Sequence, residues 1–181
     1  MQPSAVLRLL AAHTPHDETE RGFLEQMLHF VRETPGFHRR ETTQGHLTAS
    51  AWIVDPERRR ALLLHHGKLD RWLQPGGHIE DDASLLDSAL REAREETGLA
   101  CRAADEAVFD VDIHPIPARG AEAAHLHYDV RFLLEAEAGA QPEVSPESNA
   151  VRWFGLDEIA ALGGGPSIGR MVAKTRARAR A

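Results

Sequence analysis

The sequence predicts an α/β domain, and three observations carry that expectation. Segments with strand-like alternation, His46 to Val54, Arg60 to His66 and His125 to Leu134, are interleaved with segments of helical apolar spacing. The best-defined helix, Leu85 to Thr97, has a capping residue at each end. At 181 residues, with 42% hydrophobic and 27% charged side chains, the chain is long enough to bury a real core as one unit. Composition also narrows the function. The net charge of −7 argues against general nucleic-acid binding. No apolar run approaches the roughly 20 residues of a membrane span, and the N-terminus lacks a signal-peptide pattern. Cys101 is the lone cysteine, so no intrachain disulfide can form, and a cytoplasmic location is the expectation.

The first elements are helical. Ala5 to Ala12 and Asp17 to Glu33 show apolar spacing, with Phe23, Met27, Leu28 and Val31 on one side of the second, which Pro35-Gly36 ends. This pair is expected to cover one end of a sheet, with a subunit interface of a homodimer or a substrate wall as alternatives. His46 to Val54 and Arg60 to His66 follow as strands across the Asp55-Pro56-Glu57 turn. Neighbours on a strand point to opposite faces, so His65 and His66 are not a metal pair; each is expected to make an ordinary hydrogen bond. Trp72 is expected to pack rather than to stack on a base.

Next comes the stretch that carries chemistry. In Gln74-Pro75-Gly76-Gly77 the proline fixes one backbone angle and the glycines permit conformations closed to other residues. Ser84, with Asp87 three residues on, caps the start of the helix Leu85 to Thr97, and Gly98 ends it as a left-handed C-cap. At about 100° per residue Leu86, Ala89, Leu90, Ala93 and Thr97 share one face, and Glu92, Glu95 and Glu96 crowd another. Like charges this close to a helix C-terminus cost stability unless a cation joins them. An all-oxygen cluster suits Mg²⁺ or Mn²⁺, which usually completes its shell with water and substrate phosphate. A solvated acidic face is the ordinary alternative, and the glycine loop in front weighs against it.

On these residues the chain resembles the Nudix hydrolases, whose signature G-x5-E-x7-R-E-U-x-E-E-x-G-U, with U a bulky aliphatic, falls on Gly77 to Leu99. Gly77, Arg91, Glu92, Glu95, Glu96, Gly98 and Leu99 match. Ala83 stands in place of the first motif glutamate, Ala93 is smaller than the usual aliphatic, and Asp82 replaces a common glycine. The resemblance covers about Leu47 to Leu162. It implies an α/β/α sandwich with a mixed sheet, to which the first 42 residues add a helical extension. It also implies Mg²⁺, with Mn²⁺ as the alternative, held by Glu92, Glu95 and Glu96, with the Gly76 carbonyl a further candidate. Arg91, Glu92 and Glu95 are the expected catalytic residues. The missing glutamate supports the motif arginine or the metal shell in the family, and Glu80 or Asp82 could compensate for it.

Beyond the motif, Val108 to Ile113 reads as a strand, and His114 to Ala124 as a loop long enough to form a lid or specificity loop. His125 to Leu134 places His125, His127, Asp129 and Arg131 on one face and Leu126, Tyr128, Val130, Phe132 and Leu134 on the other. Either the polar face is solvated or it binds substrate, since imidazole can hold anionic phosphate or relay protons. His125, His127 and Asp129 are therefore candidate substrate-binding residues. Val151 to Phe154 is a short strand and Leu156 to Leu162 a helix. Glu143 and Glu147 lie in the preceding loop, where some Nudix proteins carry an added metal ligand or base. The run Gly163 to Pro166 precedes a last helix from Ser167, whose Arg170, Lys174, Arg176, Arg178 and Arg180 are expected to form a solvated basic tail.

The expected organisation is therefore an N-terminal extension over residues 1–42, a hydrolase domain over 43–165 and a basic C-terminal helix over 166–181. The implied activity is metal-dependent hydrolysis of a nucleoside diphosphate linked to another moiety, a small-molecule substrate. Two alternatives stand beside it. A degenerate Nudix domain could serve as a nucleotide-binding or regulatory module, for which Ala83 is the main evidence. A prenyl diphosphate isomerase-like enzyme would need a cysteine at a set site, and Cys101 is poorly placed for that.

Overall fold

The computed structural model describes residues 1–67, 69–120, 123–146, 148–162 and 165–179. Its elements run α1 (Pro3–Ala11), α2 (Glu18–Glu33), β1 (Gly45–Val54), β2 (Arg60–His66), β3 (Arg71–Leu73), β4 (Gly76–His78), α3 (Leu85–Thr97), β5 (Cys101–Ala103), β6 (Asp110–Ile116), β7 (His125–Ala136), β8 (Ser148–Gly155), α4 (Leu156–Ala161) and α5 (Gly165–Arg178). Asp17 caps α2 by accepting from the Glu20 amide at 2.8 Å. In α3 the Ser84 hydroxyl accepts from the Asp87 amide, and Gly98 closes the helix at φ +71°, a left-handed conformation that its missing Cβ allows.

All these strands join one eight-stranded sheet. The centre is the parallel pair β1 and β7, in register from Gly45 opposite Leu126 to Val54 opposite Glu135. The other pairings are antiparallel: β4 and β2 along the free edge of β1, β5 and β6 along that of β7, and β3 and β8 on either side of β2. The sheet is thus mixed. Apolar groups cover both of its faces. Leu47, Ala49, Ala51 and Ile53 of β1 pack with Met27 and Phe30 of α2 and Leu85, Ala89 and Ala93 of α3. Trp52 and Val54 turn the other way, onto Ile159 of α4 and Met171 and Val172 of α5. Fully burying a leucine- or methionine-sized side chain contributes roughly 1.5–3 kcal/mol, so each layer holds its helix in place. The N-terminal pair covers the sheet, and Phe30 stacks on Tyr128 of β7 at 4.0 Å.

Two sequence expectations need correction. The supposed loop from His114 is strand as far as Ile116, with Pro115 opposite Leu126. The sequence reads as a break there, yet among the described residues β6 pairs with β7 alone, and an edge strand tolerates a proline. The basic tail is not solvated throughout. Arg170 and Lys174 are buried, at 5% and 9% exposure, and Lys174 pairs with Glu20 of α2 and with Asp110 of β6. Glu147, Arg180 and part of the glycine run lie outside the described residues.

Candidate active site

The glycine loop and α3 are built against one another. The Gly76 amide donates to Glu96 at 2.8 Å. A Cβ on Gly77 would stand 2.5 Å from Glu92 Oε1, and one on Gly76 would stand 2.2 Å from Ser50 Oγ. Only glycine lets the chain pass this close to both side chains. Arg91 is the hub. Its Nη2 donates to the His78 carbonyl at 2.8 Å and to Asp82 at 3.1 Å, and its Nη1 reaches Glu92 at 3.0 Å and Glu95 at 2.9 Å. Asp82 also accepts from Nε at 3.2 Å, so it grips the guanidinium through two nitrogens.

The electrostatics follow from this geometry. Burial alone would raise the Asp82 pKa, but the hydrogen bonds and charge of Arg91 hold it below the ordinary carboxylate value. Burial raises that of Glu92, and Glu95 and Glu80 add to the effect, while Arg91 opposes it. Glu92 thus carries an acid environment that one arginine does not fully neutralise. Glu95 is exposed, and Glu96 sits at the loop amide. Glu92 and Glu96 lie against the loop and Glu95 joins them through Arg91, so the three acids offer hard oxygen donors, the donor chemistry of Mg²⁺ or Mn²⁺. The Glu143 side chain lies over Gly98 at the end of α3, its Cβ 3.2 Å from where a glycine Cβ would be.

The polar face of β7 turns inward. Asp129, at 2% exposure, accepts from Thr48 at 3.0 Å and Ser50 at 2.8 Å, and pairs with Arg131 at 2.7 Å. Arg131 in turn binds Asp110 at 3.1 Å and Asp112 at 3.2 Å. Above this network lie His125 and His127. They are joined by residues that sequence patterning did not single out: His46 of β1, His78 of β4 and His114 of β6. The His46 ring is 4.9 Å from His78, 5.0 Å from His125 and 4.9 Å from His127, and His114 is 5.6 Å from His127. Burial, reinforced by neighbouring imidazoles, lowers the pKa of His127 to about 3 and of His46 to about 4. The Thr42 backbone lies near His46 and opposes its shift, outside hydrogen-bond geometry. Both rings are neutral at pH 7. The signal available in the sequence was the His-x-His alternation of β7; the rest requires the register that sets His46 opposite His127.

His78 links the two clusters, its carbonyl on Arg91 and its ring among the histidines. His65 faces elsewhere, 3.2 Å from Asn149 and 3.3 Å from Asp70. Trp72 packs edge-on against Phe154. Burial pushes the Cys101 thiol up to about 11, far from a reactive thiolate.

A family model described as the NUDIX domain matches residues 45–175. The chain belongs to the NUDIX family. Over 93 residues it is 37% identical to a protein of Lactococcus lactis subsp. cremoris named as a probable DHNTP pyrophosphohydrolase, a match covering 50% of this chain and 54% of the relative. Over 102 residues it is 32% identical to the m7GpppN-mRNA hydrolase NUDT17 of Bos taurus, covering 50% of this chain and 33% of that one. The matches thus span about half the length of the first relative and a third of the second. Among solved structures, a C. elegans Ap4A hydrolase complex superposes with a TM-score of 0.59 at 17% identity, covering 73% of this chain and 96% of that one. The E. coli dihydroneopterin triphosphate pyrophosphohydrolase gives 0.56 at 19% identity, covering 71% and 92%. These likenesses identify the NUDIX fold.

Proposed function

We propose that this NUDIX protein hydrolyses the pyrophosphate bond of a nucleoside diphosphate linked to another moiety, using Mg²⁺ or Mn²⁺. The observation that carries the reading is the Arg91 hub, which holds Glu92 and Glu95 beside a loop where Glu92 fills the space of a side chain at Gly77. Glu92, Glu95 and Glu96 would hold the ion, with the Gly76 carbonyl as a further donor. When bound, the ion polarises a phosphoryl oxygen and lowers the pKa of an attacking water. Arg91 positions the acids, and Asp82 positions Arg91 in the role that the first motif glutamate would otherwise fill. At least one of His125 and His127 would contact substrate phosphate or the attacking water, and Asp129 supports their strand through Ser50 and Arg131. The related proteins named above as a probable DHNTP pyrophosphohydrolase and an m7GpppN-mRNA hydrolase support pyrophosphate cleavage as the reaction class.

The test is a phosphate-release screen over nucleoside triphosphates, sugar nucleotides, dinucleoside polyphosphates and coenzyme pyrophosphates, with each metal. Turnover on at least one class, dependent on added metal, is the expected result. Metal-independent turnover would contradict the reading. Inactivity throughout, reversed by Ala83→Glu alone, would favour a binding module instead.

A further inference from the structure

The histidine layer meets the requirements of a metal centre of a different kind from the acidic cluster. His46, His125 and His127 each offer a ring nitrogen, and these atoms all lie within 4.8 Å of one another. A tetrahedral ion with metal–nitrogen bonds of about 2.0–2.1 Å places its ligands roughly 3.4 Å apart, so modest ring rotations bring the three onto one ion. Two of the rings are almost fully enclosed, His46 at 1% exposure and His125 at 8%.

Their hydrogen bonding is what marks them as ligands. His125 Nδ1 is 2.9 Å from the Ala123 carbonyl, and a carbonyl can only accept, so the proton sits on Nδ1 and the lone pair on Nε2. Among the described residues, that Nε2 is buried with no hydrogen-bond partner, as are Nε2 of His127 and both ring nitrogens of His46. Buried polar atoms in folded proteins are nearly always satisfied; each neutral imidazole carries one N–H and one lone pair, and three rings that can each turn a lone pair to one point suit a cation. A ligand histidine held through its other nitrogen by a backbone carbonyl is a recurring arrangement around bound metals.

The geometry points to His46, His125 and His127 as the ligands of one late first-row transition-metal ion of the Zn²⁺ class, bound separately from the carboxylate site. Neutral imidazoles suit Zn²⁺, Co²⁺ or Ni²⁺, whereas Mg²⁺ demands oxygen. Three protein ligands leave one coordination position for water or a substrate atom. His125 also lines a depression of about 400 Å³ with Gln44, Pro115, Ile116, Pro117 and Ala124. Two strands already fixed side by side supply all three ligands, so little ordering is needed on binding.

Binding of the metal itself is the readout, so the test does not depend on catalysis. Chelator-treated protein is titrated with Zn²⁺, and separately with Co²⁺, in millimolar Mg²⁺ that occupies the carboxylates. We expect about one equivalent of Zn²⁺, a visible ligand-field band for Co²⁺ that Zn²⁺ abolishes, and the same result for the variant Glu95→Gln/Glu96→Gln. The variant His125→Asn/His127→Gln should bind Zn²⁺ at least about a hundredfold more weakly. If that variant does not fold, ring-nitrogen NMR of the wild type decides, with Zn²⁺ expected to shift three histidines. Absence of stoichiometric Zn²⁺ binding, or binding that survives the histidine changes or is lost with the glutamates, overturns the proposal. Loss of kcat/KM in the histidine variants without Zn²⁺ binding by the wild type also overturns it, in favour of direct contact between imidazole and substrate.

Discussion

Arg91 makes hydrogen bonds to three carboxylates and one carbonyl, and only Asp82 grips it through two nitrogens. Removing that charge while keeping the shape, as in Asp82→Asn, should free the guanidinium and lower kcat/KM about 10- to 100-fold, in line with losses seen when groups that orient a metal site are removed. Ala83→Glu, which restores the motif, should change kcat/KM by less than about tenfold, or roughly 1.4 kcal/mol in the barrier, because Asp82 already occupies the arginine. Steady-state kinetics on a confirmed substrate check both; a large gain from Ala83→Glu together with a silent Asp82→Asn would show that Asp82 is no stand-in. Glu92, Glu95 and Glu96 were legible as a cluster because helical spacing alone groups them. The grip of Asp82 was not, since it depends on how the loop from Glu80 to Ser84 folds back, and no periodicity records that.

Elements were legible in proportion to their length and capping. The motif helix was read with its observed limits, Leu85–Thr97, because Ser84 and Gly98 mark them chemically. β3, β4 and β5 are three residues each, too short for alternation to register. α5 was read as a helix, but its partners lie far away in sequence. Lys174 donates to Glu20, Asp110 and the Phe109 carbonyl, and Glu20, fully buried, also accepts from His13 at 2.8 Å and the His16 amide at 2.6 Å. Cutting one member of such a network strands a buried charge. Lys174→Met should therefore cost about 3–5 kcal/mol in urea unfolding, and adding Glu20→Gln should recover part of it. A loss below about 1 kcal/mol, the range of an exposed pair, would mean that α5 is not docked in this way.

At the scale of the whole molecule, the fold sets two polar systems on opposite faces of one sheet, neutral histidines above a buried ion network on one and the acidic helix α3, packed on β1, on the other. The pH dependence of stability follows. His46 and His127 have folded-state pKa values of about 4 and about 3, below the ordinary histidine value of 6.5. Above pH 6.5 they cost nothing; as the pH falls below it, the unfolded chain takes up protons that the folded one refuses, so stability drops through the window from 6.5 towards 4. In metal-free protein Tm should fall by several degrees per pH unit between 6.5 and 4.5, and His46→Asn/His127→Asn should flatten that slope. Asp82, Asp112 and Asp129, whose pKa values are lowered, add their own losses only below about pH 4. The central claim, that the acids of α3 carry a catalytic ion, meets its most direct test in one comparison: kcat/KM and the Mg²⁺-induced rise in Tm for the wild type and for Glu95→Gln/Glu96→Gln on the best substrate of the screen. The account predicts a Tm rise of a few degrees in millimolar Mg²⁺ for the wild type only, and a loss of at least about a hundredfold in kcat/KM for the variant. A variant that hydrolyses the substrate as well as the wild type does would contradict it.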